Sequence, residues 1–475
     1  MTTTPDYFAA EAFTDDLPTA LQAANLAAEG EQHRGQARMA YRLAAAYGSR
    51  LMYVRGIGWH IWDGQRWAED EKDAAKNAVL DILRQALTES LDNRELRTDV
   101  RKCESSAGVA GVLDLASALP ALRAAIIDLD ADPYLLNCAN GTLDLRTRQL
   151  REHNPADRIT RVTRGAFDPN ADRTTWDGFL ASVLPDNDER AYLQRVIGQS
   201  AYGRVREHLF PVLTGSGSNG KGTAYGAITN ALGDYATIIN PDLLMASERG
   251  GGGPEMMTLL GARLVVGSET DEGRQLDAAT MKRLTGGDEL TARRLYQEPV
   301  KWLPTHQLIY VTNHLPRVKG NDPAVWRRIR VVPFDIVVSE SMRDQTLPER
   351  LELSADAILT WAVEGWFDYE DNGGMNEPDT VRQATDDYQT ESDALKRFIQ
   401  SECVTSPHVH VTTREIFGAW TTWSAADGAD ALTERAFAKE LDRLGYEAKR
   451  TRIGASRAGI ALRADESEQH ENGSW

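Results

Sequence analysis

Positive charge is in short supply in this 475-residue sequence: 53 Lys and Arg face 71 Asp and Glu, a formal net charge of −18. A chain that coats nucleic acid is usually basic. Any such contact must therefore be confined to local basic patches or to a channel built by several copies. Cysteine is scarce as well. Cys103, Cys138 and Cys403 lie too far apart for a zinc site or a disulfide framework, and they read as buried or free thiols. No apolar run approaches the length of a membrane span. The opening Met1-Thr2-Thr3-Thr4-Pro5-Asp6 has neither the basic nor the apolar region of a leader. The expectation is a cytoplasmic protein without membrane contact. The 41% hydrophobic and 26% charged residues suit a globular chain of two or three domains.

What is present centres on Pro211-Val212-Leu213-Thr214-Gly215-Ser216-Gly217-Ser218-Asn219-Gly220-Lys221-Gly222-Thr223. A buried strand, a glycine-rich turn and a helix running to about Gly233 follow from this order. The spacing G-x-x-x-x-G-K is that of a phosphate-binding loop. Backbone N–H groups from Gly215 to Thr223 must point at phosphate oxygens, so bulky side chains are excluded. Lys221 places a charge at the β- and γ-phosphates, and the helix N-terminus adds a positive field. A nucleoside triphosphate with Mg²⁺ is the ligand this predicts. Gly222 stands where a metal-binding hydroxyl is usual. The ion would use Thr223, or rely more on water and acidic residues.

Three further strands carry polar tips. Ala262–Ser268 runs into Glu269, the predicted general base and metal-shell carboxylate, with Asp271 and Glu272 as weaker candidates. Gln307–Thr312 runs into Asn313, whose neutral amide can hydrogen-bond a γ-phosphate or hold attacking water. Trp326-Arg327-Arg328 leads into Ile329–Phe334, and one arginine of the pair is a candidate to reach a neighbouring subunit's γ-phosphate. Between the first and second of these strands, a turn at Gly286-Gly287 precedes a hairpin tipped near Gln297–Pro299. Lys282, Arg293, Arg294 and Lys301 concentrate positive charge there, a candidate contact for a DNA backbone.

Elsewhere the patterns are structural. Residues 1–30 read as an acidic mobile arm. Asp63-Gly64 and Asn140-Gly141 mark hairpin turns. Trp59, Trp62 and Trp67 pack a small sheet more readily than they stack on bases. Asp128 and Asp130 have the Asp-x-Asp spacing of a two-metal site, but read as an acidic turn before Pro133. His408 and His410 share a strand face without a third ligand. From Thr412 the pattern helix, helix, strand, strand suggests a winged helix. Residues 435–463 hold eight basic residues against three acids, which favours DNA contact.

Counted from Lys221, Glu269 lies 48 residues on, Asn313 lies 92 and Arg327 lies 106. With the Lys282-to-Arg294 segment between them, this order resembles a superfamily 3 helicase of the poxvirus-type and phage or plasmid primase–helicase family, over residues 35–460. The resemblance implies an α/β fold: an AAA+-like P-loop motor with a parallel central sheet, an α-rich N-terminal domain and a C-terminal winged helix. It implies an ATP-driven DNA helicase of phage or mobile-element replication. The motor would act as a homo-oligomeric ring, a hexamer, with ATP between subunits and the hairpin after Thr291 lining a DNA channel. A primase part is not evident, so priming is expected from a separate protein. Rival readings are an ATP-dependent initiator or loader that does not unwind, and a primase–helicase using Asp128 and Asp130. The expected divisions are an arm (1–30), an N-terminal domain (31–173), an ATPase core (174–340), a helical connector (341–402), a winged helix (403–464) and a polar tail (465–475).

Overall fold

The computed structural model describes residues 20–246, 254–268, 273–295, 297–318, 322–429, 431–451 and 454–463. They divide into two units, one drawn from 1–316 and 327–381, the other from 317–326 and 382–475. The expected N-terminal domain (31–173) and the ATPase core (174–340) apart from residues 317–326 fall in one unit, and the boundary at 381/382 lies inside the expected connector (341–402).

The first unit begins with α1 (Ala20–Gly30) and α2 (Gly35–Tyr47). Helix α1 occupies the end of the stretch expected to be an arm. It is ordered by close packing on α2, where a Cβ at Gly30 would lie 2.9 Å from the Tyr41 Cβ. Strands β1 (Leu51–Val54), β2 (Gly58–Trp62) and β3 (Trp67–Glu69) form an antiparallel meander. Helices α3 (Ala74–Glu89), α4 (Arg94–Cys103) and α5 (Ser106–Ala116) follow, each burying one apolar stripe with Val79, Val100 or Val112 fully enclosed. Strand β4 (Arg123–Ala124) then joins β1 in parallel. Trp67 is buried and its indole N–H donates to the Pro155 carbonyl at 2.8 Å, so it is a core residue and not a base-stacking platform. The acidic pair is spent locally. Asp128 accepts from its own turn at Ala125 N, and Asp130 accepts from Thr160 N and Oγ1.

A second meander of β5 (Leu135–Cys138), β6 (Gly141–Asp144) and β7 (Gln149–Arg151) turns at Asn140-Gly141. The helices α6 (Thr174–Val183) and α7 (Asn187–Gly198) lead into β8 (Phe210–Thr214) and α8 (Lys221–Leu232). Next come β9 (Ala236–Ile239), β10 (Leu264–Ser268), α9 (Ala278–Leu284), the hairpin β11 (Leu290–Ala292) and β12 (Val300–Trp302), and β13 (Gln307–Thr312). The short α10 (Pro323–Trp326) precedes β14 (Ile329–Pro333). Strands pair in the order β14-β8-β13-β10-β9, all parallel. Near-continuous apolar runs such as Leu308–Val311 suit a sheet covered on both faces. Helices α11 (Leu347–Leu353) and α12 (Ala355–Asp371) complete the cover, with Trp361 and Trp366 buried.

The remaining elements are α13 (Asp379–Ser392), α14 (Ala394–Glu402), β15 (Cys403–Thr412), α15 (Thr413–Asp427), α16 (Glu434–Arg443), β16 (Ala448–Thr451) and β17 (Gly454–Leu462). From β15 onward the order is the expected one, and β17 lies between β15 and β16. Thr412 and Glu415 form a reciprocal capping box at the start of α15. Of the basic residues counted there, Arg457 is buried, ion-paired to Asp442 and bonded to the Tyr446 carbonyl. Arg443 pairs with Glu440 and Asp393, and Arg463 donates to two carbonyls. The local charge reversal is thus partly consumed in holding this unit together, leaving Arg435, Lys439 and Lys449 exposed. His408 and His410 are exposed, and no group of three potential metal ligands occurs among the described residues. No described helix is long and apolar enough to cross a membrane. The three cysteines are buried and free, and burial pushes the Cys138 thiol up to about 12.

Candidate nucleotide-binding site

The carboxyl edge of the parallel sheet collects the predicted loop. Thr214, the last residue of β8, is in register with Thr312 of β13 and with Pro333 of β14. Gly215 and Asn313 therefore leave neighbouring strands at the same edge. The chain then runs through Ser216, Gly217, Ser218, Asn219 and Gly220 before α8 begins at Lys221. Glycine is required at two points. At Gly215 (φ 153°) a Cβ would sit 2.2 Å from Asn219 Nδ2 and 2.3 Å from the Phe334 carbonyl. At Gly220 (φ 82°) it would sit 2.6 Å from Val183 Cγ1. Gly222 has no such need, since a Cβ there meets nothing within 4 Å.

Lys221 is buried, and its ammonium donates to the Gly215 carbonyl at 2.7 Å, Asn219 Oδ1 at 3.0 Å and Asn313 Oδ1 at 3.1 Å. Asn219, also buried, donates in turn to the Phe334 carbonyl at 2.9 Å. The loop, Asn313 and the segment after β14 are thereby tied into one network around a cation. Contacts of this kind, from an ammonium to neutral carbonyl oxygens, can be exchanged for contacts to phosphate oxygens. Thr223, two residues into α8 from Lys221, is half-buried. Glu269, Asp271 and Glu272 lie outside the described residues. Ser268, just before Glu269, is in register with Val311, so β10 ends at this edge too.

The arginine pair is elsewhere. Ile329 is in register with Phe210, and the Arg328 carbonyl accepts from Phe210 N, at the amino edge of the sheet. Five residues of strand put Arg328 roughly 17 Å from the loop edge. Neither arginine can serve the loop of its own chain. Arg327 is exposed, whereas Arg328 is 7% exposed.

The hairpin cations have neighbours that the sequence did not reveal. Arg294 Nη2 lies 2.6 Å from Glu69 Oε1 of β3 and Lys301 Nζ lies 3.1 Å from Glu289. Burial opposes ionisation of Glu69, but the hydrogen bond and charge of Arg294 outweigh it and hold the carboxyl below its ordinary value. Arg55 and Glu298 pair at 3.3 Å beside this contact. Arg293 is exposed and Lys282, on α9, is half-buried. One residue at the loop was missed altogether. Arg343 Nη2 donates to Ser218 Oγ at 2.6 Å from a segment with no recognisable pattern.

Residues 40–185 match the family model described as D5 N terminal like, and residues 213–328 match a family of unknown function, DUF5906. A protein of Acanthamoeba polyphaga mimivirus named a "putative helicase" is 30% identical over 295 residues, which cover 57% of this chain and 31% of that protein. One from Frog virus 3 with the same kind of name is 26% identical over 276 residues, covering 54% and 28%. An African swine fever virus protein named a "putative primase" is 24% identical over 340 residues, covering 66% and 35%. The chain spans about a third of the length of these curated relatives. Among solved structures, an apo form of the NrS-1 C-terminal region aligns at a TM-score of 0.38 and 12% identity, covering 63% of this chain and 78% of that one.

Proposed function

From the chain's membership of the D5-like superfamily 3 helicase–primase family, we propose that it is an ATP-driven DNA helicase in the replication of a virus or mobile element. The observation that carries this reading is the buried Lys221 ammonium, donating to Gly215, Asn219 and Asn313 oxygens inside a strand–glycine loop–helix unit at the carboxyl edge of a parallel sheet. ATP fits that cradle. Lys221 and the backbone N–H groups of residues 215–223 bind its phosphates, and Asn313 holds the γ-phosphate or the attacking water. Glu269 takes the proton from that water. The Thr223 hydroxyl and Glu269 are the residues that would hold Mg²⁺, which when bound neutralises charge on the phosphates.

Arg327 acts on the ATP of a neighbouring copy. The opposite-edge placement of the arginine pair supports this, because a residue so far from its own loop is useful only between subunits. A ring, read as a hexamer, follows from a contact of that head-to-tail kind when it closes. DNA runs against the hairpin through Lys282, Arg293, Arg294 and Lys301, with the C-terminal unit as a second, winged-helix contact. The test is strand displacement: purified protein, forked DNA and ATP. Displacement that stops when ATP is withheld supports the motor. ATP-dependent DNA binding without displacement would show an initiator or loader instead.

A further inference from the structure

The strap from Phe334 to Arg343 is bonded to the phosphate loop at four points. Phe334 N donates to the Thr214 carbonyl at 2.7 Å and Asn219 Nδ2 to the Phe334 carbonyl at 2.9 Å. Val338 N donates to the Ser218 carbonyl at 2.8 Å, and Arg343 Nη2 to Ser218 Oγ at 2.6 Å. The chain carries 71 acidic residues, and arginines such as Arg146, Arg195, Arg274, Arg330 and Arg350 each pair with a carboxylate. Arg343 is exposed and makes no ion pair among the described residues. Its guanidinium instead rests on a single hydroxyl within the G-x-x-x-x-G-K turn, on the opposite flank of the loop from the Asn313 side chain that Lys221 holds.

We propose that Arg343 is a second cation for the bound triphosphate, supplied by the same chain that supplies Lys221. The inference rests on the nucleotide reading of the loop. A guanidinium presents several N–H donors in a rigid fork that matches phosphate oxygens, and one hydroxyl uses only a fraction of that capacity. When a triphosphate enters, Arg343 exchanges Ser218 Oγ for phosphate oxygen without leaving the loop. The strap then closes the phosphate side of the pocket, and the arginine that arrives from the neighbouring copy completes the charge. Arg343 binds ground-state nucleotide in this account, so its loss raises KM more than it lowers kcat.

The experiment uses the full chain, with ATP and inorganic tripolyphosphate as the two probes, displacing a fluorescent ATP analogue. Arg343→Met is expected to weaken both probes by about tenfold, and Arg343→Lys by clearly less, as fits a charge-assisted contact. KM for ATP rises in the same proportion while kcat stays within about twofold. Lys221→Ala reports on the underlying reading. Wild-type affinity in Lys221→Ala removes the nucleotide site and this inference with it. Lost binding in Lys221→Ala alongside wild-type affinity in Arg343→Met overturns the inference alone. So does a loss of ATP affinity with tripolyphosphate unchanged, since the strap would then be a scaffold and not a phosphate contact.

Discussion

The phosphate loop and the β11–β12 hairpin both gather cations in an acidic chain, but the cations rest on different partners. At the loop, Lys221 and Arg343 donate to carbonyl, amide and hydroxyl oxygens. On the hairpin, Arg294 and Lys301 donate to Glu69 and Glu289. On the proposed reading, a phosphate arriving at the loop takes over these neutral contacts and gains charge–charge attraction. A phosphate arriving at the hairpin must displace a carboxylate of the same sign as itself. On that reading the neutral contacts at the loop give way at lower cost than the carboxylate contacts at the hairpin. Partly exposed ion pairs contribute about 1 kcal/mol or less each, so that release is within reach of DNA binding.

The largest effect is expected where the cation is poised. Lys221→Ala should lower ATP turnover by on the order of 10³-fold or more, with the folded circular-dichroism spectrum retained. Undiminished turnover would remove the distinction between the two regions. The arginine pair comes next. Arg327→Ala should cost on the order of 10³-fold in turnover without moving the melting temperature. Arg328→Ala should instead lower the melting temperature, because Arg328 is buried. The reverse result would place the in-trans role on Arg328.

Acidity separates stability from the hairpin contact. Burial pushes His306 down to about 4, from an ordinary value of 6.5. The folded form keeps this imidazole neutral, so the stability it confers is complete above pH 6.5 and is lost as pH falls toward 4. At pH 5 the loss is about 2 kcal/mol, measurable by urea unfolding and removed in His306→Phe. Glu69, held below its ordinary value, still pairs with Arg294 at that pH. The smallest effect belongs to the hairpin itself. Glu69→Gln frees Arg294 and should tighten single-stranded DNA binding about threefold at low salt, fading at high salt. No change in fluorescence anisotropy would mean that Glu69 does not restrain the hairpin.

Much of this was legible in one dimension. Apolar runs ending in Lys221's loop and at Asn313, and one that starts from the arginine pair, declared their strands, because a buried parallel strand needs continuous hydrophobicity and its ends need polar turns. Strand β9 gave no signal, being four residues long with Ile238 56% exposed. Asp128 and Asp130 showed by spacing alone that two readings were open, and the turn around them decided for the structural one. The partners of the cations were hidden. Arg294 meets Glu69 from 225 positions away, and Arg343 meets Ser218 from 125 positions away. Counting charge over residues 435–463 found a basic stretch, yet Arg457 in it is buried against Asp442. Charge is written in the sequence, while its availability is a property of the fold.

The central claim is that each ATP site draws its lysine from one copy and its arginine from another. Purified Lys221→Ala chain and purified Arg327→Ala chain, each inactive alone, should regain turnover on mixing. Random assembly at equal amounts restores about a quarter of the wild-type rate per interface, the share in which an intact Lys221 faces an intact Arg327. No recovery on mixing, together with wild-type hydrolysis that is independent of protein concentration down to a monomer, would contradict the account.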